Sequence, residues 1–431
     1  MTGNRRVRVL RLPDALPELI QTERVSPPEG LTVACYTFPH YHRSAFNDRL
    51  YAPGWTEYAL MRGCRPWFPG HHQPRTPLWG EMDERDPATW EQYIDLALAS
   101  GISVFIFDWY WYGGEPVLHE ALEEGFLRAR GRERMRFAVM WTNHPWYRWF
   151  PTAGWPAPAG DRLATFGTAG QGAREFLYPA PEKPEEIWRS FAYLISRYLH
   201  DPAYWRLEDQ PVVVLWEVPR LVKTFGVSGT RTLLDELRAF ARKLGHRGIH
   251  FHASQASRPA FSQLEALGID SYGLYNPIVL AAAERPPEEE LPDYGVVAAD
   301  VVTRLWPALE RLSTRPFFPT VSPGWDNSPR CFPPSVRPSR PDRNQWPGTT
   351  IVINESPAAF AALVTAALAF LNQRPTVPPV LIVGCWNEWT EGHYLLPDTY
   401  HGYGMARALA RALGLIEHTH SRPGTKEDGE P

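Results

Sequence analysis

The sequence predicts an α/β fold: a single (β/α)8 barrel of the TIM type with long strand-to-helix loops. Three observations predict it. Eight short apolar runs recur along the chain, alternating with stretches of helical periodicity. The connections from helix back to strand are short, whereas several from strand to helix are long. No Gly-x-Gly-x-x-Gly follows the first apolar run, as a nucleotide-binding open sheet would require.

The runs are LTVACY (31–36), SVFIFDWY (103–110), FAVMW (137–141), PVVVLWE (211–217), IHFHAS (249–254), DSYGLYN (270–276), FFPTVSPGW (317–325) and PVLIVGCWNEW (379–389). All but the fifth and sixth are plainly apolar, as strands buried on both faces should be. Between them, 183–200 places Ile187, Phe191, Leu194, Ile195 and Tyr198 on one helical face. The segments 231–244 and 357–372 carry similar stripes, and 88–100, 117–130, 258–267, 297–312 and 403–414 are weaker helix candidates. Segments 37–87, 142–182 and 322–356 are rich in Pro, Gly, Trp and His and follow strands. In a barrel of this kind they build the active-site face. The expected organisation is an N-terminal extension (1–30), one barrel (31–416) and a polar tail (417–431), with the Pro/Arg stretch 333–348 as a mobile loop.

Composition narrows the function. A net charge of -4 over 431 residues argues against a nucleic-acid partner, which usually meets a basic surface. The 18 Trp, 18 Tyr and 20 Phe exceed what a core needs, and aromatic faces stack on sugar rings; bulky core packing is the alternative. Cys35, Cys64, Cys331 and Cys385 form no C-x-x-C pair, so neither a zinc site nor a disulfide framework is expected. No stretch of about 18 apolar residues exists, and the first 20 residues do not read as a secretion signal. The expectation is a cytoplasmic protein without membrane insertion; a secreted chain whose leader had been removed would read the same.

Acids at strand ends are the first chemical candidates: Asp108, Glu217, Asp326, and the pair Glu388 and Glu391. Glycoside hydrolysis needs two carboxyl groups in different protonation states. Glu388 and Glu391, three apart and flanked by Trp386 and Trp389, suit that need better than an unrelated surface turn. Asp108, inside FDWYWYGG, reads as an acceptor for a sugar hydroxyl or as a helix cap. Glu217 reads equally as a general acid and as a salt bridge at the barrel mouth. Asp326 sits in a turn signature, SPGWDNSPR. His40, His42, His71, His72 and His144 lie in strand-to-helix loops without metal-ligand spacing, which favours hydrogen bonding to substrate. Trp109, Tyr110, Trp141 and Trp325 are expected to line the cleft and border sugar rings.

Several stretches resemble glycoside hydrolase family 99-like proteins, most closely the WbsX-type branch of bacterial polysaccharide gene clusters. They are PGWTEY (53–58), RPWFPGHHQPRTPLWG (65–80), DERDP (83–87), FDWYW (107–111), PGWDNSPR (323–330) and WNEWTEGHYLLPD (386–398). The resemblance implies a (β/α)8 barrel and a retaining, endo-acting hydrolase of α-mannose-like linkages in a polysaccharide or oligosaccharide. It implies that Glu388 deprotonates the substrate's 2-hydroxyl, which attacks C1 to give a 1,2-anhydro sugar. Glu391 then protonates the leaving group and afterwards activates water, and Asn387 orients Glu388. No metal or cofactor is implied. Further substrate contacts are expected from Tyr36, His40, Trp55, Glu57, His71, Asn143 and Tyr394, with Asp108 and Asp326. Two departures bear on sugar specificity: Thr390 stands where endomannosidases often carry His, and His144 in TNHPW stands where a Glu is usual. The alternatives are a glycosyltransferase, for which the chain offers neither Asp-x-Asp nor a phosphate loop, and a non-catalytic glycan-binding barrel.

Overall fold

The computed structural model describes residues 25–148, 175–254, 261–286, 289, 291–330, 351–374 and 378–416. Among them, eight parallel strands form a closed barrel. They are β1 (Thr32–Thr37), β2 (Val104–Tyr112), β3 (Arg136–Trp141), β4 (Gln210–Leu215), β5 (His250–Ser254), β6 (Ser271–Gly273), β7 (Thr320–Val321) and β8 (Val380–Val383). Each pairs in parallel with its sequence neighbour from β1 to β6, and β8 pairs with both β7 and β1. The Tyr272 N–H donates to Pro316 O at 3.0 Å and the Phe318 N–H donates to Tyr272 O at 2.8 Å, which closes the ring between β6 and β7. The strands are short, and buried residues fill β1, β2, β5, β6, β7 and β8 throughout, as a core covered on both faces requires.

Helices cover the outside. Among the larger are α1 (Pro87–Ala99), α2 (Pro184–Arg197), α3 (Val218–Lys243, broken at Gly226), α4 (Tyr294–Asp300), α5 (Pro357–Asn372) and α6 (Gly404–Ala412). Their starts are written locally. Asp86, Asp293 and Ser356 each accept backbone N–H bonds as N-caps, and Pro87, Pro184 and Pro357 stand at first-turn positions where a missing N–H costs nothing.

Three helix expectations change. Instead of a helix over 117–130, Glu115–Val117 folds back as a short antiparallel strand on β2, followed by one wide turn (Ala121–Gly125) and one tight turn (Phe126–Arg128). The segment 297–312 is helical but widens at Val301–Leu305, just before Pro307, which cannot donate to the preceding turn. Within 258–267, residues 258–260 lie outside those described; of the rest, Phe261 and Leu264–Leu267 are helical, with a turn at 262–263. The segments 333–348 and 417–431 also lie outside them.

Because all eight strands run the same way, their C-terminal ends share one face. The loops opening at 37–87, 142–182 and 322–356 therefore leave from that face. Among the described residues, no helix is long and apolar enough to cross a membrane.

Candidate active site

The site is built on the turn that follows β8. Asn387–Glu388 pairs with His393–Tyr394 as a minimal hairpin around a tight turn, Trp389–Glu391. Gly392 closes the turn at φ 61°, and a Cβ there would lie 2.9 Å from the Asp326 N atom. A glycine meets both demands. The turn brings Glu388 and Glu391 to the same side, with carboxylate oxygens within 4.8 Å of each other.

Arg330, from the turn Ser328–Arg330, joins them. Its Nη2 donates to Glu388 at 3.0 Å, its Nη1 donates to Glu391, and its Nε donates to Glu57 at 2.8 Å. All four side chains are buried. Three buried carboxylates therefore share one guanidinium, and Glu57 and Glu388 shift in opposite directions. Burial alone would raise Glu57, but Arg330 and His40 bring it down to about 2. Burial raises Glu388, and Arg330 and the Tyr275 hydroxyl only partly offset the rise. Asp108 is held well above the carboxylate range by burial first, then by Glu388 and Glu391. Carboxyl groups pushed up in pKa, Asp108 and Glu388, thus share the site with one pulled down, Glu57, the kind of separation acid–base work needs.

Glu57 is a support for this cluster. His40 Nδ1 is 2.5 Å from it, and Thr390 Oγ1 also donates to it. His40 is held in turn by Asn47 at 3.0 Å and by the edge of Trp55, which stacks on Tyr51 at 4.1 Å. Thr390, the residue that departs from the endomannosidase pattern, is thus a clamp on Glu57. On the floor, the Tyr36 hydroxyl donates to Ser254 at 2.7 Å, and the Tyr36 ring lies 5.0 Å from Tyr275. The Tyr275 hydroxyl donates to Oε2 of Glu388. Tyr110 donates to Asp108 at 3.4 Å, and Trp325 lies 6.3 Å from His393.

Asp326 is fully engaged elsewhere. His71 and Gln73 donate to its Oδ2 at 3.0 and 2.7 Å, and the Ser328 N–H donates to Oδ1 at 3.0 Å. These partners, with Arg75, outweigh burial and hold it below the usual carboxylate range. Its own N–H donates to Glu391 O at 2.6 Å, so it pins the turn Trp389–Glu391. Glu217 is partly exposed and pairs with Arg220 at 2.6 Å, which is the salt-bridge reading of that residue. His42, His72 and His144 meet separate partners: Glu120, Tyr400 and the Pro145 carbonyl.

Five of the expected site residues meet other protein groups. Trp109 and Trp141 do not line the cleft. The Trp109 indole donates to Tyr198, the C-cap of α2, at 3.2 Å, and Trp141 packs on Phe191 within α2 at 5.1 Å. Strand residues alternate sides, so Asp108 and Tyr110 facing inward puts Trp109 outward. Asn387 does not orient Glu388; its amide bonds Phe38 N and O at 2.8 and 2.7 Å and Glu84 at 2.5 Å, the opposite side from its neighbour. Asn143 ties the Glu217 backbone at 2.8 and 3.1 Å. The Tyr394 hydroxyl donates to Asp398 at 2.6 Å, and its ring stacks on Trp389 at 4.0 Å.

The sequence reading gave no role to Arg330, Tyr275, His393 or Glu84. Arg330 ends a quoted motif, but a lone arginine in a loop has no period to betray it. Tyr275 is 113 residues from Glu388 along the chain, and only barrel closure brings them together.

Glu388, Glu391 and His393 place ligand-type atoms within 4.8 Å of one another, so a resident cation must be considered. The donor set does not suit one. His393 Nε2 accepts from the Cys385 N–H at 3.1 Å, which leaves the proton of a neutral ring on Nδ1, the nitrogen nearer Glu388. A protonated nitrogen cannot ligate, and the Arg330 guanidinium already supplies the positive charge.

Comparison with known proteins agrees with this architecture. A glycoside hydrolase family 99 endo-α-mannosidase from Bacteroides thetaiotaomicron superposes with a TM-score of 0.51 at 13% identity, over 89% of this chain and 95% of that one. A glycoside hydrolase-like protein superposes with 0.52 at 11% identity, over 92% and 98%. At these identities the likeness is one of fold. An uncharacterized protein, WxcX, of Xanthomonas campestris pv. campestris is 25% identical over 422 residues, 95% of this chain and 52% of that protein. The chain thus spans about half the length of the curated relatives it matches. The model of the family described as glycosyltransferase WbsX matches residues 32–409, and the chain belongs to that family.

Proposed function

We propose that this chain is a retaining, endo-acting glycoside hydrolase of α-mannose-like linkages in a polysaccharide or oligosaccharide, working through a 1,2-anhydro sugar. The observation that carries the reading is the placement of Glu388 and Glu391 on one turn. An ordinary double displacement needs carboxylates on opposite sides of the sugar, about 5–5.5 Å apart. Glu388 and Glu391 come within 4.8 Å of each other on one turn, close enough to serve two oxygens on adjacent sugar carbons, the 2-hydroxyl and the departing one. The nucleophile is then supplied by the substrate itself, as its 2-hydroxyl. Glu388 takes that hydroxyl's proton, and Glu391 protonates the departing oxygen and afterwards activates water. Interception by a sugar hydroxyl in place of water turns the same chemistry into transfer, which accommodates the family's description.

The test is a panel of α-mannan-type and bacterial O-antigen glycans, read by mass spectrometry for released fragments. Fragments are expected from the native chain and not from Glu388→Gln. Turnover that survives in both Glu388→Gln and Glu391→Gln but is abolished by Glu217→Gln and Asp326→Asn would refute the mechanism.

A further inference from the structure

His393 follows the catalytic turn, and its ring is fully buried. The bond from the Cys385 N–H occupies its Nε2 lone pair, so the neutral ring carries its proton on Nδ1. The ring stays neutral, because burial, followed by the nearby Arg330, brings its pKa down to about 3. The pose requires glycine at 384, where a Cβ would lie 2.0 Å from Nε2. Among the described residues Nδ1 has no hydrogen-bond partner, and it lies 3.9 Å from Oε2 of Glu388. That gap is too long for a direct bond. It is the right width for one intervening oxygen, since an atom about 2.8 Å from each end closes a triangle on that base.

We propose that His393 is a catalytic residue whose Nδ1–H donates to the same substrate oxygen that gives its proton to Glu388. The proposal rests on the assignment of Glu388 as base. In that step the hydroxyl proton passes to Glu388, and the oxygen's electron pair forms the bond to C1. The bond from C1 to the leaving oxygen breaks with its electron pair, and that oxygen takes a proton from Glu391. His393 keeps its own proton throughout. It presents a fixed donor where negative charge builds on the attacking oxygen, in a pocket poor in water. Its distance from Glu388 also matters: Tyr275 and Arg330 already donate to that carboxylate, and a third direct donor would stabilise the charged form further and weaken the base.

A crystal structure, with and without soaked methyl α-mannoside, tests the geometry. One oxygen within about 3.2 Å of both Nδ1 and Oε2 is expected, as water in the free protein or as a sugar hydroxyl in the soaked one. A direct His393–Glu388 bond, or an empty gap in both, overturns the proposal. Kinetics on α-mannan oligosaccharides test the role. His393→Phe should lower kcat about 10²-fold with KM within about twofold, the size expected for one lost donor to a developing oxyanion. His393→Asn, which can restore an N–H, should recover part of the loss and serves if the Phe variant misfolds. Native-like kcat in the folded variants overturns the proposal. Glu388→Gln, run alongside, separates the failures: if it is active the base assignment falls, and if it is inactive while His393→Phe is native-like only the role of His393 falls.

Discussion

Arg330 holds together three side chains that would otherwise repel. It donates to Glu57, Glu388 and Glu391 from one buried guanidinium. Its positive charge lowers the pKa of Glu388 against a rise caused by burial. A base must be ionised to act, so the acidic limb of the kcat/KM profile reports that pKa. Removing Arg330 raises it, and Arg330→Gln should move the limb to higher pH. Breaking a buried pair costs about 3–5 kcal/mol, so Arg330→Lys, which keeps the charge, is the companion variant and should move the limb less. A limb that stays in place in both variants would contradict this account. The two acids themselves are separable. Glu388→Gln should cut kcat by about 10²–10⁴-fold while leaving binding largely intact. Glu391→Gln should cost less on aryl glycosides, whose leaving groups need little protonation; equal losses on aryl and sugar leaving groups would argue against its role as acid.

At the scale of the element, β2 shows how strand geometry sorts chemistry from packing. Asp108 and Tyr110 meet each other inside the mouth, while Trp109 and Trp111 meet Tyr193 on α2 outside. Replacing Trp109 is therefore a test of packing. Trp109→Ala should cost about 3–5 kcal/mol of stability, measured by denaturant unfolding, with KM unchanged in the folded fraction. A raised KM at native stability would put the ring back in the cleft. The turn after β8 behaves in the same way. Gly392 holds a left-handed φ of 61° against the Asp326 backbone, so its geometry is set by two loops at once.

At the scale of the molecule, the cleft carries its own fixed cation, and its ligand-type histidine presents a proton. Turnover should accordingly be insensitive to EDTA; activity lost in chelator and restored by a divalent ion would overturn that expectation. What was legible in the sequence follows from locality. Apolar runs, helical periodicity and the asymmetry of loop lengths are short-range signals, and they sufficed for the barrel and for the face that bears its loops. Glu388 and Glu391 were visible because both lie in one turn of a motif. The partners of that turn were not. Arg330 lies 58 residues from Glu388, Tyr275 lies 113 away, and Asn387 reaches across 303 residues to Glu84. Nor could composition tell Trp109 from Tyr110, since the side each faces depends on strand phase. By itself the sequence determined the barrel and the acidic pair, because periodicity and turn chemistry act over a few residues. Only the tertiary structure decided which groups touch that pair and in what charge state, because burial and charge proximity arise when distant strands close the ring.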